Sequence, residues 1–216
     1  PDAGILTSPI TFLSTANENP AQIINCTITN NSYTDLGSEG NAAGLMVERW
    51  AFASILNSII VSEQTPAVTV GNHDTGGSAE LTIGYSLISD GQDSIDVYED
   101  GTLIWGPGNI DVDPRFVDEE NDDYHLLASS QLINAGHPDS TDSDGTVADI
   151  GAYPHLNSYS GPTWYISESG NDTTATGAST DPFRSIQAGI NFSSSGDSVT
   201  VAEGTYVENI NFRGRN

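Results

Sequence analysis

Leu56-Asn-Ser-Ile-Ile60 has two near copies, Ile24-Asn-Cys-Thr-Ile28 before it and Gly84-Tyr-Ser-Leu-Ile88 after it. Aligning Asn25, Asn57 and Tyr85 gives steps of 32 and 28 residues. Further short runs, Leu45-Met-Val47 and Ala67-Val-Thr-Val70, fall between them among Asn, Gly and Ser clusters. Short β-branched strands at a loose repeat of this length predict a solenoid, because each unit buries its apolar face only against its neighbours. The runs are locally continuous, as in Ile59-Ile-Val61. Strict alternation would predict a half-exposed antiparallel sheet; continuity predicts parallel strands stacked turn on turn. Asn at the corners tolerates left-handed backbone, and stacked Asn side chains can hydrogen-bond along the repeat axis. The competing reading is a β-sandwich with Asn in its loops.

Composition narrows the partners. The 216 residues include 30 Asp and Glu against five basic residues, all arginine, for a formal charge of -25. That charge repels nucleic-acid phosphates and anionic lipid and favours hard divalent cations, above all calcium on carboxylate ligands. With 36% hydrophobic residues, 22 Gly and 10 Pro, the chain reads as folded and rich in turns. A single cysteine, Cys26, excludes an internal disulfide framework and reads as a small buried hydrophobe. No apolar run approaches the roughly 20 residues of a membrane span. No basic-then-apolar start marks a secretory signal, so targeting information is expected outside these residues.

Beyond the repeats, Gly108-Asn-Ile-Asp-Val-Asp-Pro-Arg-Phe-Val117, Asp123-Tyr-His-Leu-Leu127, Gln131-Leu-Ile-Asn-Ala-Gly136 and Asp142-Ser-Asp-Gly-Thr-Val-Ala-Asp-Ile-Gly-Ala-Tyr153 follow in order. Over residues 20 to 155 this succession resembles the carboxyl end of right-handed parallel β-helix repeat proteins of the pectate-lyase-like superfamily. Residues 156–162 read as a linker. Thr163-Trp-Tyr-Ile-Ser167, Gly170-Asn-Asp172, Asp181-Pro-Phe-Arg-Ser-Ile-Gln-Ala-Gly-Ile190 and Gly196-Asp-Ser-Val-Thr-Val-Ala202 resemble the amino-terminal beginning of the same family. The resemblance implies an all-β chain, a right-handed parallel β-helix with a short capping α-helix near the C-terminus. It also implies three parts: 1–155 as carboxyl-terminal coils, 156–162 as linker, and 163–216 as the cap and first coil of a following β-helix. Asp181 is the expected helix N-cap, with Pro182 at the first helical position and Phe183, Ile186 and Ile190 on one face.

The acidic loop is the candidate metal site. Asp142, Asp144 and Gly145 imitate the first half of a calcium loop, but Gly151 stands where a bidentate Glu would be needed and Asp149 comes too early. Calcium is therefore expected on Asp142, Asp144, Asp149 and the Thr146 carbonyl, outside the EF-hand pattern. The alternative is a turn whose Asp side chains bond nearby amides. Asp111, Asp113 and Asp118 form a second, weaker candidate, for an ion or for a bonded corner.

Catalytic machinery is thin. Lyases of the resembled superfamily take a proton next to a uronate carboxylate with an Arg or Lys base, and the predicted coils hold only Arg49 and Arg115. A glycosidase needs two carboxylates at a defined separation, and no arrangement singles out a pair. His73, His125, His137 and His155 are scattered, and no nucleophile elbow, metal-binding His pair or phosphate loop is present. The aromatics, including Trp50, Trp105, Trp164 and Tyr206, read as core sooner than as a sugar platform. The expectation is a non-enzymatic, extracellular or cell-surface structural or adhesive protein. Its expected partners are copies of itself, head to tail, with Phe183, Ile186, Ile190, Val199, Val201 and Tyr206 in the joint, and extracellular glycans. The alternative is a carbohydrate-binding or carbohydrate-active β-helix, a polysaccharide lyase or glycosidase. A groove that presents basic residues and aromatics together would separate the two.

Overall fold

The computed structural model describes residues 5–6, 10–13, 20–32, 42, 44–71 and 77–214. They form two compact units, residues 1–112 with 150–152, and residues 113–149 with 153–216.

The first unit is built from four passages of the chain through three sheets. β1 (Ile5–Leu6), β2 (Ile10–Leu13) and β3 (Ala21–Ile24) make the first circuit, and β4 (Thr27–Ile28), β5 (Leu45–Glu48) and β6 (Phe52–Leu56) the second. β7 (Ile59–Ile60), β8 (Val68–Val70) and β9 (Ala79–Gly84) follow, then β10 (Leu87–Ile88), β11 (Ile95–Val97) and β12 (Gly101–Trp105). Strands of equal rank pair in parallel, giving three four-stranded sheets in the orders β1-β4-β7-β10, β2-β5-β8-β11 and β3-β6-β9-β12. Ile110 adds a parallel bridge to Leu87 where a fifth circuit would begin. The continuous apolar runs thus form parallel strands, as their lack of alternation predicts.

Register converts the repeat into a core. Ile28, Ile60 and Ile88 are in register and fully buried, and Ile23, Ile55 and Ile83 form a second column. β9 shows the inward face most clearly, with Ala79, Leu81 and Ile83 buried and the residues between them half-buried. Each buried aliphatic side chain contributes about 1.5–3 kcal/mol relative to exposure. No circuit can gain this alone.

The corner between the third and first sheets is made by one left-handed residue. Asn25, Asn57 and Tyr85 have φ of 51°, 48° and 48°, so the three aligned positions are equivalent in space. The hydrogen-bond ladder, however, runs one residue later than the stacked Asn expected. The Cys26 amide donates to Ser58 Oγ at 3.2 Å, the Ser58 amide to Ser86 Oγ at 3.1 Å, and the Ser86 amide to Asn109 Oδ1 at 3.1 Å. Both hydroxyls in turn donate to a carbonyl two residues back, Leu56 and Gly84, at 2.9 Å. A left-handed residue leaves the next amide pointing along the repeat axis without a strand partner, and a short polar side chain above supplies the acceptor. Cys26 is half-buried against the core, with Sγ donating to the Ile24 carbonyl. Burial pushes its thiol up.

Ile150–Ala152 returns to this corner. The Gly151 amide donates to the Asn57 carbonyl at 2.8 Å and the Ala152 amide to Thr27 Oγ1 at 3.1 Å. Gly151 has φ of 121°, and a Cβ there would meet Ile59 Cδ1 at 2.7 Å, so the position takes only glycine.

In the second unit, β13 (Phe116–Asp118) and β14 (Asp123–Leu126) form a short antiparallel pair. β15 (Thr163–Ile166) and β16 (Ser198–Val201) pair in parallel, with α1 (Ile186–Phe192) between them in sequence. Trp164, Phe183 and Phe192 stack between helix and strands, with ring centroids 5.2 to 6.2 Å apart. Gly189 lets the helix close in, since a Cβ there would meet Ile166 and Val199 at 2.8 Å.

One sequence expectation changes here. The helix starts at Ile186 after Ser185, not at Pro182. Its first amides, Ile186 and Gln187, donate to the Glu208 carboxylate at 2.8 and 3.0 Å, so the N-terminus is capped from 21 and 22 residues downstream. Asp181 instead accepts from the Thr176 amide and hydroxyl. The compact units divide the chain after residue 112, with 150–152 in the first. Asn191 Nδ2 donates to the Ala128 and Ser130 carbonyls, Arg213 to those of Ile133 and Asn134, and the Ala128 amide to Asp172. Residues 127–134 lie outside the strands, and Asn191 and Arg213 take the carbonyls of 128, 130, 133 and 134. The expected linker is held as well, the Asn157 amide by Asp144 Oδ2 and Asn157 Nδ2 by the Thr176 carbonyl. Among the described residues no helix is long and apolar enough to cross a membrane.

The ladder makes a prediction. Ser58→Ala leaves the Cys26 amide without its acceptor and should cost about 1–3 kcal/mol. Ser62→Ala removes a hydroxyl bonded only to Gln64 at the surface and should cost under about 0.5 kcal/mol. Urea unfolding followed by circular dichroism distinguishes the two; equal midpoints would remove the ladder's role.

Candidate functional site

The acidic loop folds as a small hairpin. Thr141 and Val147 bridge antiparallel, the Asp142 amide donates to the Thr146 carbonyl at 3.1 Å, and Gly145, with φ of 88°, turns the chain. The carboxylates that the sequence marks for calcium are brought into one loop and serve backbone amides. Asp142 Oδ2 accepts from the Asp149 amide at 2.9 Å. Asp144 accepts from the Thr146 amide and hydroxyl and from the Asn157 amide. Asp149 is buried and accepts from the amides of Asn134 and His155, both at 2.7 Å. Among the described residues no three His, Cys, Asp or Glu side chains are placed to hold a metal ion.

The three carboxyls titrate differently. Burial holds Asp142 above the ordinary carboxylate value, helped by the charge of Asp144 and opposed by the Asp149 amide. Burial also pushes Asp144 up, but the Asn157 amide, the Thr146 hydroxyl and the Thr146 amide outweigh it, and its carboxyl lies below the ordinary value. Asp149 is pushed up to about 7 by burial, against its two amide bonds and reinforced by Asp142 and Asp144.

The second acidic set is dispersed. Asp111 Oδ1 accepts from the Asp90 amide, after β10 in the first unit. Asp113 Oδ1 accepts from the Arg115 amide and Asp118 Oδ2 from Asn121 Nδ2, both in the second unit. Of the expected assembly residues, Phe183 and Ile190 are buried in the second unit, Ile186, Val199 and Tyr206 are half-buried, and Val201 is exposed. His125 stacks on Tyr153 at 4.5 Å and lies 2.7 Å from Asp123, His155 bonds the Leu126 carbonyl, and His73 lies outside the described residues.

A site that sequence reasoning missed lies in the second unit. A cleft of about 670 Å³ is lined by Asp113, Arg115, Phe116 and Glu119 from the β13 region, by Leu127 and Ser129, and by Glu168 and Asp172. Arg184 and Ser185 before α1, and Thr205 to Glu208 after β16, close it. Most of its carboxylates are occupied: Asp172 accepts from the Arg184 and Ser185 amides and the Ser185 hydroxyl, Glu168 from the Thr205 amide, and Glu208 caps α1. Among the described residues the guanidinium groups of Arg115 and Arg184 make neither hydrogen bond nor ion pair. In a chain with 30 acidic residues, two of five arginines stand unpaired in one cleft beside Phe116 and Tyr206. A faint signal existed in the sequence, since both arginines follow an Asp-Pro step, Asp113-Pro-Arg-Phe116 and Asp181-Pro-Phe-Arg184. Only the fold brings the two segments together.

A family described as a protein of unknown function (DUF1565) matches residues 168–212, a short part of the chain that supplies one wall of this cleft. No curated protein and no solved structure matches the chain.

The Asp149 carboxyl carries a pH prediction. An unfolded Asp titrates near 3.9, so between about pH 4 and 7 the folded chain retains a proton that the unfolded chain has released. The contribution of this group to stability therefore falls as pH rises through that window and is level above it. Between pH 5 and 7 wild type should lose roughly 2–3 kcal/mol on this account, a loss absent in Asp149→Asn. Urea unfolding of both proteins at the two pH values measures the difference, because titrations shared by both cancel.

Proposed function

We propose that the chain belongs to a right-handed parallel β-helix protein of the cell exterior, with a structural or adhesive role. The observation that carries this reading is the cyclic visit to three parallel sheets, one strand per sheet per circuit. Crossovers between parallel strands of one sheet are right-handed in about 98% of cases, which supports the hand. The match at 168–212, to a family associated with parallel β-helix proteins, supports it for the cap segment. A charge of -25 suits a solvated surface exposed to salt.

Head-to-tail contact between copies is part of the proposal, but the apolar face available for it differs from the one expected. Phe183 and Ile190 are consumed inside the second unit. Val201, Ile210, Phe212 (62% exposed) and Val207 (95% exposed) are not, and β16 pairs on one edge only among the described residues. An unpaired strand edge beside apolar side chains recruits another strand. Concentration-dependent association by light scattering should be lost in Val207→Asp/Phe212→Asp. Association unchanged in that variant, or a monomer at all concentrations, would end this part of the proposal.

The acidic loop is proposed to be closed by backbone amides rather than by a cation. Chelating calcium should then leave the melting temperature unchanged. A fall on chelation that Asp144→Ala abolishes would return calcium to Asp142, Asp144, Asp149 and the Thr146 carbonyl, with about 2.7 kcal/mol at a hundredfold excess over Kd.

A second reading, glycan binding, is favoured by the cleft. Its Arg115, Arg184, Phe116 and Tyr206 are the combination of basic and aromatic groups that separates a glycan binder from a purely structural β-helix.

A further inference from the structure

We infer that the cleft between the β13 region and the cap segment binds a neutral saccharide and discriminates against uronates, an inference that rests on the glycan-binding reading. Its volume, about 670 Å³, falls within the roughly 300–1,000 Å³ of small-ligand clefts. The lining mixes three kinds of surface. Arg115 and Arg184 offer planar forks of N–H donors with no partner of their own among the described residues. Among the described residues Glu119 offers an unengaged carboxylate, and Asp113 an oxygen beyond the one that takes the Arg115 amide. Phe116 and Tyr206 supply half-buried rings. A pyranose presents the complement: vicinal hydroxyls that accept from a guanidinium and donate to a carboxylate, and an apolar C–H face that lies on an aromatic ring.

Charge decides the class of sugar. Two guanidinium groups stand among five carboxylates, Asp113, Glu119, Glu168, Asp172 and Glu208. The amides bonded to four of these satisfy their lone pairs without removing their charge. A ligand carboxylate would meet a net negative wall in a chain already at -25, whereas hydroxyl groups meet donors and acceptors alike. The arginines therefore read as hydroxyl donors rather than as an anion trap. Arg184 is exposed, and its backbone amide is what Asp172 holds, so its side chain is free of any fold role among the described residues.

The test uses the full chain in titration calorimetry with neutral gluco-, manno- and galacto-hexasaccharides and with a hexagalacturonate. At least one neutral sugar should bind, with the uronate at least about tenfold weaker. Arg184→Ala and Glu119→Gln should each weaken neutral binding about tenfold or more, the loss of a hydrogen bond to a charged group, at an unchanged melting temperature. Neutral binding that both variants leave intact would overturn the cleft while sparing the glycan reading. Tighter binding of the uronate would overturn the charge argument. Failure of all four sugars to bind would overturn the glycan reading itself, and the inference with it.

Discussion

Parallel backbone pairing between successive circuits is the interaction on which the first unit depends. The strands of its first sheet have two residues each, and the longest strand in the unit has six. Segments so short cannot fold alone, since fixing each residue costs about 1–2 kcal/mol of backbone entropy. Stacking repays that cost by placing like on like: Ile28 on Ile60 on Ile88, and Ile23 on Ile55 on Ile83. The register that aligns the side chains also aligns the corners. One left-handed residue per circuit, and one polar side chain after it, are the same requirement seen twice.

The second unit solves the backbone problem differently. It has two-stranded sheets and one helix of seven residues, so many of its amides lie outside regular pairing. Buried amides must still find acceptors. Carboxylates supply them: Asp144, Asp149, Asp172, Asp181, Asp197 and Glu208 each accept from backbone amides of other residues. Part of the acidity that reads as solvated surface therefore serves the backbone. This is why the aspartates of the 142–149 loop hold turns together; at Asp149 burial outweighs the two amide bonds and pushes the carboxyl up. It is also why two arginines stand out. Where carboxylates are already engaged by amides, a nearby guanidinium is left without a partner, and its charge is available to something else.

Much of the first unit was legible in the residues. The steps of 32 and 28 from Asn25 to Asn57 to Tyr85, and the continuous apolar runs, belong to equivalent corners and to parallel strands, because nearest-neighbour stacking writes its period directly into the chain. Asn at a left-handed position was readable for the same reason, a local steric preference. The ladder one residue later was not, since Ser58 and Ser86 look like any loop serine until the strand above them is in place. In the second unit local signals misled. Asp181-Pro182 has the form of a helix start, yet the helix begins at Ile186, because Glu208 satisfies its first amides from far along the chain.

By itself, then, the sequence determined the β-class of the chain, the repeat and its corners, and the concentration of carboxylates between residues 139 and 149. These follow from periodicity, steric preference and composition, which act within a few residues or at a fixed interval. Only the tertiary structure decided that residues 113–149 share a compact unit with 153–216, and that the loop carboxylates bond amides. It alone brought Arg115 and Arg184, from segments 69 residues apart, to one cleft. Such pairings are set by which amides remain unsatisfied once the chain has folded, and no local pattern records that.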